Sequence, residues 1–410
     1  KILYTILMII IFRLGSCIPV PLLDPAAMKE IFTSDNSLFG FIDVISGGAF
    51  QNATIFAMSI TPYINSSIIM QLLTVAIPAL ERLQKQGEDG RKKIAQITRY
   101  GTVVLAFIQA IGLYFMLKSY NAVTNPGLLT AVVVIFTFTA GTAFLMWLGE
   151  QITEKGVGNG ISLIIFAGIV SRLPSMAQSL YAYAKGGGIG LIGVVALLIM
   201  IVVVVGLVVM MNEAERRIPV QYAKRVVGRK MYGGQSTHIP IKVASAGVIP
   251  IIFAMSIMSF PSTIAGFFGV TSQTGGFWGG FLKIFSSTSW VYAILYFLLI
   301  IFFTYFYTAI QFNPIEMSNN MKKNGGFIPG IRPGRPTSEY ISKTLSRITL
   351  VGAIFLGLIA ILPIFINLGL GINNFAIGGT SLLIVVGVAL ETVKDMESQM
   401  LMRHYKGFLE

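Results

Sequence analysis

Ten apolar runs, each long enough to cross the hydrocarbon core of a bilayer as a helix, recur along the whole chain. They lie roughly at 2–20, 56–78, 97–117, 128–149, 159–180, 189–211, 244–267, 290–312, 346–366 and 379–398. About 20 apolar residues span the ~30 Å of hydrocarbon. Backbone groups in lipid must bond within their own segment, so these runs predict transmembrane helices. The last run is the most polar, because Glu391 and Lys394 fall in its final turns. Short alternating segments of the kind that build a membrane β-barrel are missing. Charged residues make up 11% of the chain and mean hydropathy is +0.77, against about 25% charge in soluble domains. The opening run KILYTILMIIIFRLGS is interrupted by Arg13 and has no small-residue cleavage pattern. It reads as a first span, with its lead-in upstream, rather than a cleaved signal peptide. One cysteine, Cys17, allows no intramolecular disulfide.

Charge orients the spans. Of the 30 Lys and Arg, 24 fall in one set of alternate connections and the two termini. Five (Lys29, Lys118, Arg172, Lys185 and Lys283) fall in the other set, and Arg13 lies within a span. The positive-inside bias puts the richer set, and both termini, in the cytoplasm. Two cytoplasmic connections, 212–243 and 313–345, are longer than insertion requires. The ten spans divide five and five near residue 185, beside AKGGGIG, into halves 1–185 and 186–410. Five is odd, so the second half enters from the opposite side, and the sequence permits an inverted pair with a path between the halves.

The membrane interior lacks ionisable chemistry. The 17 Asp and Glu lie in connections or at span ends, and His238 and His404 are cytoplasmic. A small-solute transporter would need midplane carboxylates, because intramembrane charge is costly and kept for function. No carboxylate pair, metal cluster or phosphate-binding loop is present. Neither cofactor nor nucleotide hydrolysis is expected, so any energy source must be a partner. A scaffold that never opens remains as an alternative to a channel. Arg13 is either a structural arginine satisfied by carbonyls or a participant in transport.

Ile60 and Ile64 in SITPYI, and Ile161 and Ile165 after GVGNG, are i, i+4 pairs that share a helix face. Pattern alone favours ordinary lipid-facing or packed isoleucines. Pro62, Pro250 and Pro261 are expected to kink otherwise apolar helices. FIDVISGGAFQNAT at 41–54 is too short to cross, and reads as an external turn or a re-entrant half-helix. KNGGFIPGIRPGRPT at 323–337 is a basic, Gly/Pro-rich stretch that keeps Phe327, Ile328 and Ile331 in a connection.

These stretches, with FRLGSCIPVP, GEDGRKKIAQITRYGT, LMWLGEQITEKGVGNGISLIIFAGIV, ERRIPVQYAKR, QSTHIPIKVASAGVIP and GGTSLLIVVGV, closely resemble the SecY family. Members of that family form the channel of the bacterial Sec protein translocon. The resemblance runs nearly end to end, in order and with matching spacing. Two features depart from it: the family's cytoplasmic N-terminal stretch is absent, and Arg229-Lys230 stands where two arginines are usual. The resemblance implies an all-α, ten-helix clamshell of two inverted five-helix halves around an hourglass pore. It implies a ring of six aliphatic residues at Ile60, Ile64, Ile161, Ile165, Ile252 and Ile384. It implies a plug at about 41–52, with Phe41, Ile42, Val44, Ile45, Ser46, Gly47 and Gly48. A lateral gate would lie between the second and third spans and the seventh and eighth. Lys224, Arg225, Arg229, Lys230, Arg332 and Arg335 would dock the SecA ATPase or a ribosome through its rRNA, with Phe327 and Ile328 as the apolar part of that contact. Further implied partners are small subunits of SecE and SecG type, signal sequences, unfolded polypeptides and the lipid of the bacterial cytoplasmic membrane.

Overall fold

The computed structural model of the chain describes residues 1–24, 27, 46–119, 121–175, 177–178, 181, 191–222, 225–227, 230–232, 236–244, 247–267, 277–285, 289–370 and 379–406. The expected linker near residue 185 lies outside them.

The first part of the chain builds α1 (Ile2–Gly15), α2 (Thr61–Ala76), α3 (Pro78–Lys85), α4 (Glu88–Ser119), α5 (Leu128–Lys155) and α6 (Gly160–Ser171). The second builds α7 (Leu191–Glu213), α8 (Ile249–Phe267), α9 (Phe277–Ile284), α10 (Trp290–Gln311), α11 (Pro314–Lys323), α12 (Arg335–Leu370) and α13 (Gly379–Lys406). Among the described residues, α4, α5, α10 and α12 are each long and apolar enough to cross a membrane. The bent pair α2–α3 adds a fifth candidate, and apolar helices at Ile2–Gly15, Gly160–Ser175, Leu197–Glu213 and Ile249–Pro261 are shorter. With α13, the expected ten segments are accounted for.

The second segment departs from the simple span expected at 56–78. Residues 47–59 turn rather than coil into a helix, with positive φ at Ala53 (49°) and Ser59 (51°). Helix begins at Thr61 and breaks after Ala76, where the chain bends by 100°. The break has a local cause. Ile77 precedes Pro78, whose ring disfavours helical backbone at the residue before it. Ile77 accordingly adopts φ −107°, ψ 112°. The expected proline kinks need correction too. Pro62 and Pro250 are the second residues of α2 and α8, where a missing N–H leaves no helical bond unmade. Pro261 and Pro363 do lie inside helices.

Without a hydrophobic force between helices in lipid, close approach and small polar groups hold them. Ser66 Oγ on α2 donates to Thr98 O on α4 at 2.9 Å, beside Gly101. Phe56 stacks on Phe12 of α1 and Phe144 of α5, with ring centroids 6.1 and 6.0 Å away. In the second half α10 packs on α12 and α8, and α13 on α7 and α12. Phe253 meets Phe303 edge-on across α8 and α10 at 5.8 Å. The two sets of helices touch where α8 lies against α2 and α4, and where α6 lies against α13.

The two long connections are not loops. The first folds into β1 (Glu215–Tyr222), β2 (Arg225–Val227), β3 (Lys230–Tyr232) and β4 (Ser236–Lys242). The second supplies α11, β5 (Gly326–Phe327) and the start of α12. β4, β1 and β5 form one antiparallel sheet in that order, with Ile218 opposite Ile239 and Gln221 opposite Phe327. Ile218, Val220, Ile241, Met321, Ile328, Ile341 and Leu345 form its core, with Ile331 packed against them. Ile328, expected to meet a partner, is therefore 3% exposed and serves the sheet instead.

This assigns different costs to neighbouring side chains. Ile328→Ala should destabilise the sheet-bearing unit by about 2–5 kcal/mol, the range for emptying a packed site. Phe327→Ala, at a half-buried position, should cost less. Limited trypsin digestion of the purified protein would read the difference as faster cleavage within 212–243. Equal protection in both variants would contradict the shared core.

Candidate functional site

The six isoleucines singled out in the sequence come from four helices, α2, α6, α8 and α13. Ile60 caps α2 and Ile64 lies in its first turns. Ile161 and Ile165 begin α6, which Asn159 caps by accepting from Ile161 N and Ser162 N at 3.1 and 3.3 Å. Ile252 lies in the first turn of α8 and Ile384 near the start of α13. Ile60, Ile64, Ile165 and Ile384 are members of a single buried apolar cluster, and Ile161 and Ile252 pack against it. Exposure falls to 1% at Ile60 and Ile384. The packing around them is apolar. Such a contact is non-directional and releases neither donor nor acceptor when it parts. Two hydroxyls that flank Ile60, Ser59 Oγ and Thr61 Oγ1, are buried without a hydrogen-bond partner.

Of the segment expected to form a plug, residues 46–52 are described, and Ala49 belongs to the same core. Phe41, Ile42, Val44 and Ile45 lie outside the described residues. Ser46 is fully buried, and its Oγ accepts from Phe50 N at 3.2 Å. Gly47 has φ 67°, and a Cβ there would lie 2.9 Å from both Arg13 Nη1 and Gly168 Cα. Only glycine meets both demands without strain. Arg13 Nη1 donates to Gly47 O at 3.3 Å. The intramembrane arginine is thus held by a carbonyl, the structural one of its two sequence readings, and it ties α1 to this segment.

The basic residues are distributed over the sheet-bearing unit. Arg225 and Lys230 lie on β2 and β3, which pair with Val227 opposite Lys230. Lys224 and Arg229 lie outside the described residues. Arg332 is exposed, on a stretch whose backbone is fixed: Thr337 Oγ1 donates to Arg332 O at 2.9 Å and Ser318 Oγ to Gly334 O at 2.7 Å. Gly330 and Gly334 take φ of 83° and 105°. Arg332 forms no ion pair among the described residues, whereas Arg335 pairs with Glu339 at 3.0 Å. The two arginines, alike in sequence, differ in available charge.

Sequence reasoning missed the turn between α5 and α6 as a junction. Val157 N, Gly158 N and Gly160 N donate to Thr5 Oγ1, Asp395 Oδ2 and Thr153 Oγ1 at 3.1, 2.9 and 2.9 Å. The visible signal was GVGNG itself, where small residues permit close approach by other helices.

Comparison with known proteins places this geometry. The SecY family model matches residues 54–393. The protein translocase subunit SecY of Halalkalibacterium halodurans is 48% identical over 421 residues, covering 100% of this chain and 96% of that protein. Its counterpart in Streptomyces coelicolor is 48% identical over 426 residues, with the same coverage of 100% and 96%. Two solved structures share the fold at lower identity. One, from work on how the SecY plug domain stabilises the closed channel and keeps a membrane seal, has TM-score 0.68 at 19% identity, covering 97% of this chain and 92% of that one. The other, Sec61 in the canine ribosome–channel complex, has TM-score 0.63 at 18% identity, covering 97% and 92%. The fold is accordingly the ten-helix clamshell of two inverted halves, and the chain belongs to the SecY family.

Proposed function

We propose that this chain is the protein-conducting channel of a Sec translocase, with the isoleucine cluster as the seal of its pore. The observation that supports this reading is that Ile60, Ile64, Ile165 and Ile384 belong to one apolar core shared by helices of both halves, with Ile161 and Ile252 packed against it. A channel for polypeptides of any sequence must yield to a moving chain and still hold back ions. Fixed polar groups would bind some chains and conduct ions. An apolar constriction dewets when empty and adapts by rotamer changes when occupied. The seam where α8 touches α2 and α4 is the natural place for the halves to part and release apolar segments sideways into lipid. The segment from about 41 to 52 acts as the plug, seated by Gly47 against Arg13 and Gly168.

The chain serves as a passive subunit in this reading, and a partner supplies ATP hydrolysis or the push of translation. The charge bias puts the sheet-bearing unit and both termini in the cytoplasm of a bacterial cell. Arg332 would meet carboxylates of a SecA-type motor or rRNA phosphates of a docked ribosome, as guanidinium geometry allows. Arg225, Lys230 and the neighbouring Lys224 and Arg229 add to that surface. Small subunits of SecE and SecG type would cover lipid-facing helices. The division at about residue 185 belongs to the same reading.

Replacing several of Ile60, Ile64, Ile161, Ile165, Ile252 and Ile384 with Gly or Ser should raise the ion conductance of the idle channel in planar bilayers. Conductance that stays at background would remove the seal assignment. Arg332→Glu should abolish ATP-driven translocation into purified vesicles while leaving membrane insertion intact, since charge reversal at an interface costs several kcal/mol. Arg335→Glu should do less, because Arg335 is already paired with Glu339. Equal defects would mean that bulk charge, not Arg332, makes the contact.

A further inference from the structure

α6 poses a problem of aim. Its sequence, GISLIIFAGIVS, is apolar all round. A helix of that kind has no polar face to fix its rotation about its own axis. Apolar packing is non-directional and leaves the helix's rotation and depth loosely set. Yet Ile161 and Ile165 must point one way to act in the seal. Directional bonds at the start of the helix supply what the side-chain pattern omits.

Those bonds converge on the turn at 156–160. Thr5 on α1 takes the N–H of Val157, and Thr153 on α5 takes that of Gly160. Both come from the same half as α6. The N–H between them, of Gly158, crosses to the other half and donates to Asp395 Oδ2 on α13 at 2.9 Å. Gly158 has φ 74°, and a Cβ there would lie 3.3 Å from Thr392 Oγ1, one turn before Asp395. The carboxylate is itself held. Gln399 Nε2, one turn later on α13, donates to the same Oδ2 at 2.9 Å. Its neighbour Lys394 pairs with Glu213, the last residue of α7, at 2.7 Å.

We propose that Asp395 is a positioning residue for the seal. Its carboxylate pins the first turn of α6 across the two halves and so sets the rotation and depth of Ile161 and Ile165. The bond is charge-assisted and directional, and lies one turn from Ile161. This inference rests on the reading of Ile161 and Ile165 as part of the seal. It is separable from that reading, because the pin and the seal have different observables.

The test uses the assembled translocon in lipid, with Asp395→Ala and Asp395→Asn, read by amide hydrogen exchange and idle ion conductance. Asp395→Ala removes the acceptor and should speed exchange at Gly158 and through the first turn of α6 by about tenfold, as expected for one lost charge-assisted bond. Idle conductance should rise with it. Asp395→Asn keeps an acceptor oxygen and should restore both values to near those of the parent. Asp395→Leu, which keeps the side-chain volume without an acceptor, should exchange as fast as Asp395→Ala, whereas a generic packing role would leave it near the parent. Lys394→Gln, which cuts the adjacent ion pair, should leave exchange in α6 unchanged. If Asp395→Ala fails to assemble, Asp395→Glu carries its oxygens one methylene farther and should give intermediate exchange. Unchanged exchange in Asp395→Ala, or equal exchange in the Ala and Asn variants, overturns the proposal. Faster exchange with conductance at background removes the seal reading of Ile161 and Ile165, and overturns the proposal by that route.

Discussion

Apolar packing shared by helices of both halves is the contact on which the rest of this structure depends, and the proposed seal has to be tight when closed and separable when open. Hydrocarbon side chains suit both demands. They pack without leaving room for water, and when they part no buried donor or acceptor loses its partner. Ile60, Ile165 and Ile384 belong to an apolar core built of such side chains. The polar pins lie at its margins. Arg13 holds the backbone of Gly47, and Asp395 holds that of Gly158. Directional bonds thus fix the frame, and a non-directional contact fills the centre.

A second feature follows from the membrane setting. Residues 47–59 are irregular backbone between spanning helices, which lipid does not tolerate when exposed. Their groups are satisfied inside the protein. Val20 N donates to Ala53 O at 2.8 Å, Ile55 N to Ile18 O at 3.0 Å and Thr54 N to Ala49 O at 3.0 Å. The close approach of α5 at Gly141 to Ile55 O keeps the same stretch covered. An internal segment can therefore lie among the helices without being a helix that crosses the membrane. The two long connections use a soluble-protein solution instead: a three-stranded sheet over its own small core joins these two stretches far apart in sequence.

How much of this was legible in the sequence depends on the range of the force involved. Span 290–312 became α10, Trp290–Gln311, because lipid imposes length and apolarity residue by residue. The bend at Ile77 was legible too, since it needs only the Pro78 that follows, but the run was read as one span through it. The sheet left a signal that was passed over. Ile218 and Val220, and Ile239 and Ile241, are two residues apart, the period of a strand with one face buried. Ile328 was misjudged because its partners, Met321 and Ile341 among them, are visible only once the chain is folded. The same holds for Asp395. As a carboxylate near the end of the last helix it resembled any solvated charge, and its bond to Gly158 spans 237 positions. The six isoleucines lie between these cases: the family resemblance singled them out, and the periodicity of the residues alone did not.

The central claim is that an exported chain passes through the isoleucine cluster where the two halves meet. Site-specific crosslinking tests it most directly. A photoreactive residue would be placed in turn at positions 60, 165 and 384, and at lipid-facing Val202 and Phe302 as references. A secretory polypeptide would then be stalled in transit through the assembled translocon. The account predicts strong crosslinks from positions 60, 165 and 384 to the same short stretch of the stalled chain, and little from Val202 or Phe302. Crosslinks confined to the lipid-facing positions, with none from the cluster, would contradict it.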